Sequence, residues 1–390
     1  MEEWKEYKIG DICSNVCSGG TPSSKHEEYY DGDIPWLNTK EINFNRIYNT
    51  EKCITEEGLK NSSAKWIAEN SVIVAMYGAT AGKTAIAKIP LTTNQACCNL
   101  TIDTTIADYR FVYYFLCNKF VKLASLANGG AQQNLNAQII KDFDIVLPSL
   151  KEQTNIANLL SSLDDKIEVN RRINDNLEAQ AQALFKSWFV DFEPFRDGEF
   201  VESELGMIPK GWRVGKLGEL CQFKRGKGLL SKNAIPGDIP VVAGGLEPSC
   251  YHNISNTKSP VVTVSGSGAN AGFMRMYHQE VWASDCSYID STCENLYFVY
   301  SFLLRNRHLL KHAQTGAVQP HVKPSDIHNF DIVIPPIEII RRYQRLISGG
   351  IAFKGNNEQE SRRLATLRDT LLPRLMSGEL KVNEIEREIQ

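Results

Sequence analysis

The stretch PSLKEQTNIANLLSSLDDKIEVNRRINDNLEAQAQALFKSWF (Pro148–Phe189) decides the fold of this chain. Pro148 closes the part that precedes it and opens a long helical stretch. Ten positions recur there at alternating steps of four and three residues, and eight of the ten are apolar. They are Ile156, Leu160, Leu163, Ile167, Asn170, Asn174, Leu177, Ala181, Leu184 and Trp188. This heptad pattern predicts a coiled-coil seam rather than a helix that is buried on all sides.

Two asparagines, Asn170 and Asn174, interrupt the middle of this seam. A buried asparagine costs stability but fixes the register of a coiled coil, so the helix is expected to have one defined partner. A second helical stretch begins after Pro335. The seam positions that it repeats include Asn357, Leu364 and Leu371. Because Asn357 aligns with Asn170, we predict that the two helices pair with each other.

Glycine sets the second helical stretch apart from the first. Gly349, Gly350 and Gly355 fall in its first half. Each glycine costs about 1 kcal/mol relative to alanine in the interior of a helix. We therefore expect a break, a kink or a frayed turn between residues 349 and 355, which leaves the length of the coiled coil open.

Outward from these helices, the chain is a tandem repeat. Trp4 and the KIGDIC that ends at Cys13 recur 208 positions later as Trp212 and KLGELC. The later matches, in order, are GDIP (32–35 and 237–240), GATAG with GANAG (78–82 and 268–272), FVYYFL with FVYSFL (111–116 and 298–303) and FDIVLP with FDIVIP (143–148 and 330–335). The matches keep their order while the offset falls to 187, which indicates a duplication with shorter loops in the second copy.

Each copy begins with about 140 residues of short β-rich runs separated by glycine, asparagine and proline turns, with one helical segment among them. The predicted fold class is therefore α+β: two similar globular domains separated by two long antiparallel helices, with an internal pseudo-two-fold repeat. We call the two globular domains the first head and the second head. The predicted boundaries are 1–147 (first head), 148–192 (first spacer helix), 193–210 (linker), 211–335 (second head), 336–380 (second spacer helix) and 381–390 (C-terminal tail).

Composition excludes several classes of protein. The chain has no apolar run long enough to span a membrane, and its N-terminus, MEEWKEYKIG, lacks the features of a signal peptide. Its 10 cysteines form no C-x-x-C pair and no metal-ligand spacing, so they are expected to be reduced thiols in a cytoplasmic protein without a metal site. The net charge of −3 does not identify a nucleic-acid binder. The second head is mildly basic, with 12 basic and 9 acidic residues, which fits phosphate contact and an ordinary solvated surface equally well.

The sequence GATAGKT (Gly78–Thr84) resembles a phosphate-binding loop, but only three residues separate its glycines where that loop needs four. The second copy has GANAGFM and lacks the lysine and the hydroxyl residue. A tight turn shared by both copies is the favoured interpretation, with an ATP- or GTP-driven enzyme as an alternative that nucleotide-binding measurements would test. No methyltransfer, dinucleotide-binding or hydrolase motif is present, so no catalytic residue is predicted.

Two similar heads on a helix of about 40 residues, and so about 60 Å long, form a molecular ruler. Such a monomer is suited to contact two separated patches of a regular polymer, as dimeric repressors contact two half-sites of DNA. Amide, guanidinium and hydroxyl side chains distinguish base pairs in the major groove of DNA. Double-stranded DNA is therefore the predicted ligand.

Three stretches resemble a known family. Pro148–Phe189 is similar to the central helix of Type I restriction-modification specificity subunits, and VESELGMIPKGWRVGKLGEL (Val201–Leu220) is similar to their linker into the second recognition domain. LRDTLLPRLMSGEL (Leu367–Leu380) resembles their C-terminal signature. The resemblance implies two target-recognition domains that read a gapped DNA sequence, and helices that dock two modification (methyltransferase) subunits. It also implies a restriction and translocase subunit, with S-adenosylmethionine, ATP and Mg belonging to the partners and no cofactor in this chain.

The best candidates for base contact lie in GGAQQNLN (Gly129–Asn136) and its counterpart TGAVQPHV (Thr315–Val322), since glutamine and asparagine pair bidentately with adenine and glycine lets the backbone approach the duplex. The candidates in the first head are Asn38, Thr39, Lys40, Lys83, Asn94, Gln95, Gln132, Gln133 and Asn134. Those in the second head are Arg225, Lys227, Lys232, Ser265, Ser267, Arg275, Gln319 and His321. For each of them the alternative is an ordinary surface residue. For the whole chain the alternative is an autonomous DNA-binding or scaffold protein without enzyme partners.

Overall fold

A computed structural model describes residues 4–127, 134–315 and 320–383 of the chain. The chain divides into two compact units. The first unit comprises Met1–Lys166 and Arg363–Gln390, and the second comprises Ile167–Arg362. Each unit therefore contains one head together with part of each long helix.

The first head is built from eleven strands: β1 (Lys5–Lys8), β2 (Cys13–Ser18), β3 (Tyr30–Leu37), β4 (Asn45–Ile47), β5 (Lys52–Ile54), β6 (Trp66–Ile67), β7 (Val72–Ala75), β8 (Thr84–Ala87), β9 (Leu91–Thr93), β10 (Cys97–Ile102) and β11 (Asp144–Leu147). They form a five-stranded sheet in the order β2-β10-β7-β8-β4, a four-stranded sheet in the order β5-β3-β9-β6, and the pair β1-β11. All four residues of β7 are buried, as expected for a continuous apolar run at the centre of a sheet.

Four short helices accompany these sheets: α1 (Glu56–Lys60), α2 (Tyr109–Asn118), α3 (Phe120–Ser125) and α4 (Ala137–Lys141). Helix α2 begins at the N-cap Asp108, whose carboxylate accepts a hydrogen bond from the backbone N–H of Arg110. Six consecutive α2 residues, from Phe111 to Leu116, are buried in the main core of the unit. Residues of both long helices, Leu160 and Leu375 among them, belong to the same core.

The linker contains β12 (Phe200–Ser203) and β13 (Gly206–Pro209). The second head repeats most of the topology of the first with the strands β14 (Arg213–Lys216), β15 (Lys224–Arg225), β16 (Ile239–Val242), β17 (Cys250–His252), β18 (Val261–Ser265), β19 (Met274–Tyr277), β20 (Trp282–Ala283), β21 (Cys286–Asp290) and β22 (Asp331–Ile334). The order β15-β21-β18-β19 matches β2-β10-β7-β8, and β17-β16-β20 matches β5-β3-β9. The pair β14-β22 matches β1-β11, while the hairpin β12-β13 belongs to the linker. The prediction of two heads with closely similar folds is confirmed.

The helices of the second head are α6 (Leu296–Arg305), α7 (Arg307–His312) and α8 (Pro324–His328). Helix α6 occupies the place of α2, and its residues Phe298, Val299 and Leu303 are fully buried. Phe189 of the first long helix packs edge-to-face against Phe298 with ring centroids 4.9 Å apart. Phe195 of the linker packs edge-to-face against Trp212 of the second head with ring centroids 5.0 Å apart. Aromatic burial therefore fixes the linker to the second head.

The two long helices are α5 (Leu150–Phe189) and α9 (Ile337–Met376), each of 40 residues. The prediction of one long helix after Pro148 is confirmed. The expected break in the second helix is wrong, because α9 is continuous through all three glycines. A side chain at Gly355 would put its Cβ 2.5 Å from Cγ of His278, and one at Gly350 would meet Leu177 at 3.4 Å. These two glycines therefore allow close packing, which compensates for their low helix propensity.

The two helices run antiparallel and contact each other within each unit. In the first unit, Arg368 of α9 donates a hydrogen bond of 2.6 Å to Asp164 of α5. In the second unit, the side chain of Asn357 donates to that of Asn174 over 2.9 Å. The side chain of Asn174 donates in turn to the Lys354 carbonyl over 3.3 Å. The predicted pairing of the helices is confirmed, and their register is held by amide hydrogen bonds.

The predicted seam residues are all buried or half-buried. They are Ile156, Leu160, Leu163, Ile167, Asn170, Asn174, Leu177, Leu184, Asn357, Leu364 and Leu371. Asn170 is completely buried and donates to Glu360 over 2.7 Å. Among the described residues, the structure contains no helix that is long and apolar enough to cross a membrane.

Candidate nucleic-acid interface

One edge of each head carries the same backbone framework. In the first head, the chain leaving β7 accepts a hydrogen bond at the Met76 carbonyl from the N–H of Leu135 over 2.8 Å. The Met76 N–H donates to the Ala96 carbonyl over 2.8 Å, and Tyr77 forms a bridge with Asn134. Three separate segments are thus held side by side at the end of the sheet, and we call this arrangement the loop edge.

The second head forms its loop edge with the equivalent bonds. The Val322 N–H donates to the Gly266 carbonyl over 3.1 Å, and the Gly266 N–H donates to the Asp285 carbonyl over 3.1 Å. Ser267 forms the bridge with His321 that Tyr77 forms with Asn134 in the first head. The two heads therefore offer the same backbone platform but different side chains on it.

A glycine turn follows the loop edge in both copies. Gly78 and Gly82 have φ values of 67° and 85°, and Gly268 and Gly272 have values of 81° and 80°. These backbone conformations lie in the left-handed region that favours glycine. The chain continues from the turn into strand β8 rather than into a helix, and a phosphate-binding loop requires a helix N-terminus there. The structure thus supports a shared tight turn for GATAGKT.

The segments with the strongest predicted base contacts adjoin this edge. Gln132, Gln133 and Gln319 lie outside the described residues, so their predicted roles remain predictions. The described neighbours are Asn134, which is exposed, and His321, which is half-buried. Asn134 and His321 each form one half of the β-bridge in the loop edge of their head.

Two further predicted residues of the first head already have protein partners. The Lys83 ammonium donates to the Asn43 side chain over 2.8 Å and lies 6.0 Å from the centre of the Phe44 ring. The exposed Gln95 accepts a hydrogen bond from the Thr21 hydroxyl. These contacts fix the direction of both side chains without burying Gln95.

Asn94 and the Asn38–Lys40 segment have structural roles. Asn94 is buried, and its side-chain oxygen accepts from the Ala96 N–H over 3.2 Å, which shapes the approach to β10. Asn38 caps the short turn Thr39–Glu41 by accepting from the Lys40 N–H over 3.3 Å. The Lys40 ammonium pairs with Glu51 at 2.5 Å. Of this group, only Lys40 keeps an exposed charged side chain.

In the second head, the structure brings together Arg225 and Ser267, which the sequence could only name separately. Both side chains donate to the carboxylate of Asp285, one to each oxygen. Arg225 stays 46% exposed in this ion pair. Ser265 is buried, and its hydroxyl donates to the Gly244 carbonyl over 3.2 Å. It therefore stabilises the loop edge and does not face solvent.

The remaining predicted residues of the second head are spread more widely. The Arg275 guanidinium lies 5.1 Å from the centre of the Tyr277 ring and pairs with Glu247 at 3.7 Å. Lys227 is exposed, and its N–H donates to the Ala283 carbonyl over 2.9 Å. Lys232 is exposed in the short turn Ser231–Asn233. The structure does not place these lysines in the Asp285 cluster.

Asp285, Asn43 and Thr21 were not predicted, although together they hold four of the predicted residues. A signal for Asp285 was present in the repeat. When β21 is aligned with β10 by their pairing with β18 and β7, Asp285 corresponds to Ala96. A charged residue is therefore present in one copy where the other copy has alanine. Differences between the two copies at one backbone position mark side chains that the shared fold does not require.

Comparison with known proteins supplies the class. Residues 1–179 and 209–358 match the sequence profile described as "Type I restriction modification DNA specificity domain". The matched residues cover most of the chain and include both heads, so the protein belongs to the family of Type I restriction-modification DNA specificity subunits.

Individual relatives agree with this assignment. The chain is similar to the Type I restriction enzyme MjaIX specificity subunit of Methanocaldococcus jannaschii, with 34% identity over 98% of this chain and 95% of the relative. It is also similar to the Type I restriction enzyme HindI specificity subunit of Haemophilus influenzae, with 22% identity over 97% of this chain and 100% of the relative. Among solved structures, the S subunit of a Type I restriction-modification system from M. genitalium has the same fold, with a TM-score of 0.58, 18% identity and 96% of both chains covered.

Proposed function

We propose that this chain is the non-catalytic specificity subunit of a Type I restriction-modification complex, and that each head reads one half of a gapped, two-part DNA target. The observation that carries the proposal is the pair of loop edges. Equivalent backbone bonds hold Asn134 and Tyr77 in one head, and His321 and Ser267 in the other. A common platform with different side chains is what two readers of different half-sites require.

The long helices are proposed to set the distance between the half-sites and to dock two modification subunits. A helix of 40 residues is about 60 Å long at 1.5 Å per residue. Each head is tied to this helix by a hydrogen bond from a tyrosine hydroxyl: Tyr114 donates to Asp164 over 2.5 Å, and Tyr300 donates to Glu178 over 3.2 Å. A head attached in this way turns and shifts with its helix, so the helices define the spacing.

The chemistry is proposed to reside in the partners. S-adenosylmethionine belongs to the modification subunits, while ATP and Mg belong to the restriction and translocase subunits that join them. No cofactor is assigned to this chain, and the complex is proposed to act in the cytoplasm, where the host DNA lies. The contribution of this subunit is then binding free energy that depends on DNA sequence.

The test is to co-express the chain with its modification subunits in a host that lacks other methyltransferases, and to sequence the host DNA by a single-molecule method that detects methylated bases. The expected result is one gapped, two-part motif. Replacement of residues 1–147 by the head of another family member should change one half of the motif and leave the other half and the gap unchanged. A contiguous palindrome, or a change in both halves after the replacement, would contradict the proposal.

A further inference from the structure

We propose that Arg225 is a guanine-reading residue of the second head, and that Asp285 and Gly266 form a pocket that positions its guanidinium. The inference rests on the proposed function, since it names a specificity determinant of the same loop edge. It goes further because it predicts a base of the unknown target and a feature that the first head lacks.

Asp285, Ser267 and Gly266 surround the Arg225 guanidinium. The Arg225 guanidinium donates through Nη2 to Oδ1 of Asp285, and the Ser267 hydroxyl donates to Oδ2 of the same carboxylate. A Cβ built on Gly266 would lie 2.5 Å from Nη1 and 3.1 Å from Cζ of Arg225. The guanidinium therefore occupies the space that a side chain at position 266 would fill. Gly266 therefore lies beside the guanidinium, and the Asp285 carboxylate binds it at Nη2.

The first head, as the other copy of the repeat, lacks the residues that form this pocket. Pairing of β15 with β21 and of β2 with β10 aligns Arg225 with Ser18. The same registers align Gly266 with Met76 and Asp285 with Ala96. The backbone hydrogen bond between the last two positions is present in both heads, at 3.1 Å and 2.8 Å. The first head thus has the same backbone platform but no counterpart of the Arg225 cation, the Asp285 anion or the space at Gly266. The fold itself therefore does not require these three residues. All three positions differ between the two heads.

The ion pair with Asp285 makes Arg225 better suited to contact a base than a phosphate. A phosphate attracts any nearby cation, and a carboxylate in contact with that cation weakens the attraction by its own negative charge. The O6 and N7 acceptors of guanine carry no net charge, and they require two N–H groups in a fixed fork. A carboxylate that orients the guanidinium therefore favours reading of guanine and disfavours phosphate contact. Arg225 remains 46% exposed and Asp285 37% exposed, so the pair lies at the surface where a duplex can reach it.

The experiment uses the assembled methyltransferase and the methylated motif of the wild type. The half-site of the second head is the one that survives replacement of residues 1–147. Arg225→Ala is expected to relax one guanine position in that half-site, lowering discrimination there roughly ten- to hundredfold, and to leave the other half-site and the gap unchanged. Arg225→Lys keeps the charge but not the fork, so it should relax the same position. The matched control is Arg213→Ala, because Arg213 is also an exposed, ion-paired arginine of the second head.

Asp285→Asn tests the positioning role separately. It should reduce discrimination at the same guanine while affinity for unrelated DNA stays the same or rises, because a negative charge has been removed. Thermal unfolding and assembly with the modification subunits are measured for every variant, and Arg225→Lys serves where Arg225→Ala does not fold.

Two results would overturn the inference. One is an unchanged motif for both Arg225 variants. The other is a loss of affinity that is uniform over all DNA sequences, with a weaker dependence on salt, since that result identifies a phosphate contact. A wild-type complex that yields no two-part motif would instead contradict the proposed function, so the two failures can be told apart.

Discussion

The two units anchor their heads to the helix pair in the same way but with different residues. In the first unit, Tyr114 of α2 and Arg368 of α9 both donate to Asp164 of α5. In the second unit, Tyr300 of α6 and Lys354 of α9 both donate to Glu178 of α5. Each anchor therefore joins a tyrosine of the head, an acid on α5 and a base on α9.

The duplication does not explain this likeness. Under the repeat, Asp164 corresponds to Ile351 and Lys354 corresponds to Ile167, so neither ion pair is a copy of the other. The two anchors share the distribution of charge between the helices: the acidic residue is on α5 and the basic residue is on α9 in both. The two acids lie two heptads apart on α5, and so do the two bases on α9. Opposite charges at matching heptad positions favour pairing of α5 with α9 over pairing of either helix with a copy of itself.

Insertions in α5 between Asp164 and Glu178 should have the largest effect on assembly and on the spacing of the DNA target. Two residues inserted after Asn174 rotate the distal part of α5 by about 200°, which exposes Leu177 and separates Glu178 from Lys354. Assembly with the modification subunits should be lost. Four residues come close to a whole turn and are accommodated as a stutter. They lengthen the helix by about 6 Å, so the gap in the DNA target should widen by about one or two base pairs at 3.4 Å each.

Methylated-motif sequencing and co-purification of the subunits check both insertions. An unchanged gap after the four-residue insertion would show that α5 does not set the spacing. Retained assembly after the two-residue insertion would show that the seam is not required for docking.

Removal of each acid compares the anchors directly. The side chain of Asp164 is 14% exposed and that of Glu178 is 29% exposed. Asp164→Ala removes the acceptor of the Tyr114 hydroxyl in the more buried site, while Arg368 keeps its ion pair with Asp369, and it is expected to cost about 2–3 kcal/mol. Glu178→Ala should cost about 1–2 kcal/mol, because water reaches its site more easily. Denaturant unfolding followed by hydrogen exchange in each unit measures the two effects, and equal costs would remove the distinction between the sites.

Glycine substitutions in α9 test whether its glycines are required for packing. Gly355→Ala forces a Cβ against the His278 ring and should destabilise the second unit by about 1–3 kcal/mol. Gly349→Ala is the matched control in the same helix, because a Cβ there meets nothing within 4 Å. It should stabilise the helix by about 0.5–1 kcal/mol. Thermal unfolding of the two variants should therefore show shifts of opposite sign, and a shift of the same sign would contradict the packing role of Gly355.

The stability of the second unit is also expected to depend on pH, through His278. Burial, together with the positive charges of the nearby Lys354 and Arg362, lowers the pKa of His278 to about 4. Because the folded pKa lies below the unfolded value of about 6.5, the stability of the second unit is fully present above pH 6.5. It should fall as the pH drops from there towards 4. His278→Gln should abolish this slope in pH-dependent unfolding, whereas Lys354→Gln should reduce it. A slope that persists in His278→Gln would assign it to another group.

Much of the fold could be predicted because its signals are local and periodic. The step of four and three residues in Pro148–Phe189 predicts α5, and the ordered matches between copies predict two similar heads. The same local reasoning failed at Gly349–Gly355. Helix propensity penalises each glycine, but propensity does not include the His278 ring, which lies far away in the chain and packs against Gly355.

The candidate site also has features that could be predicted from the sequence and contacts that could not. The repeat, the seam with its asparagines and the glycine turns could be predicted from the sequence, because each is a pattern of residue types along the chain. Only the tertiary structure decided which of the scattered polar residues meet. Arg225, Gly266 and Asp285 are 60 residues apart from first to last, and the strand order β15-β21-β18 brings them to one edge. Such contacts depend on sheet topology and on the space left by a missing side chain, and neither has a period that can be found along the chain.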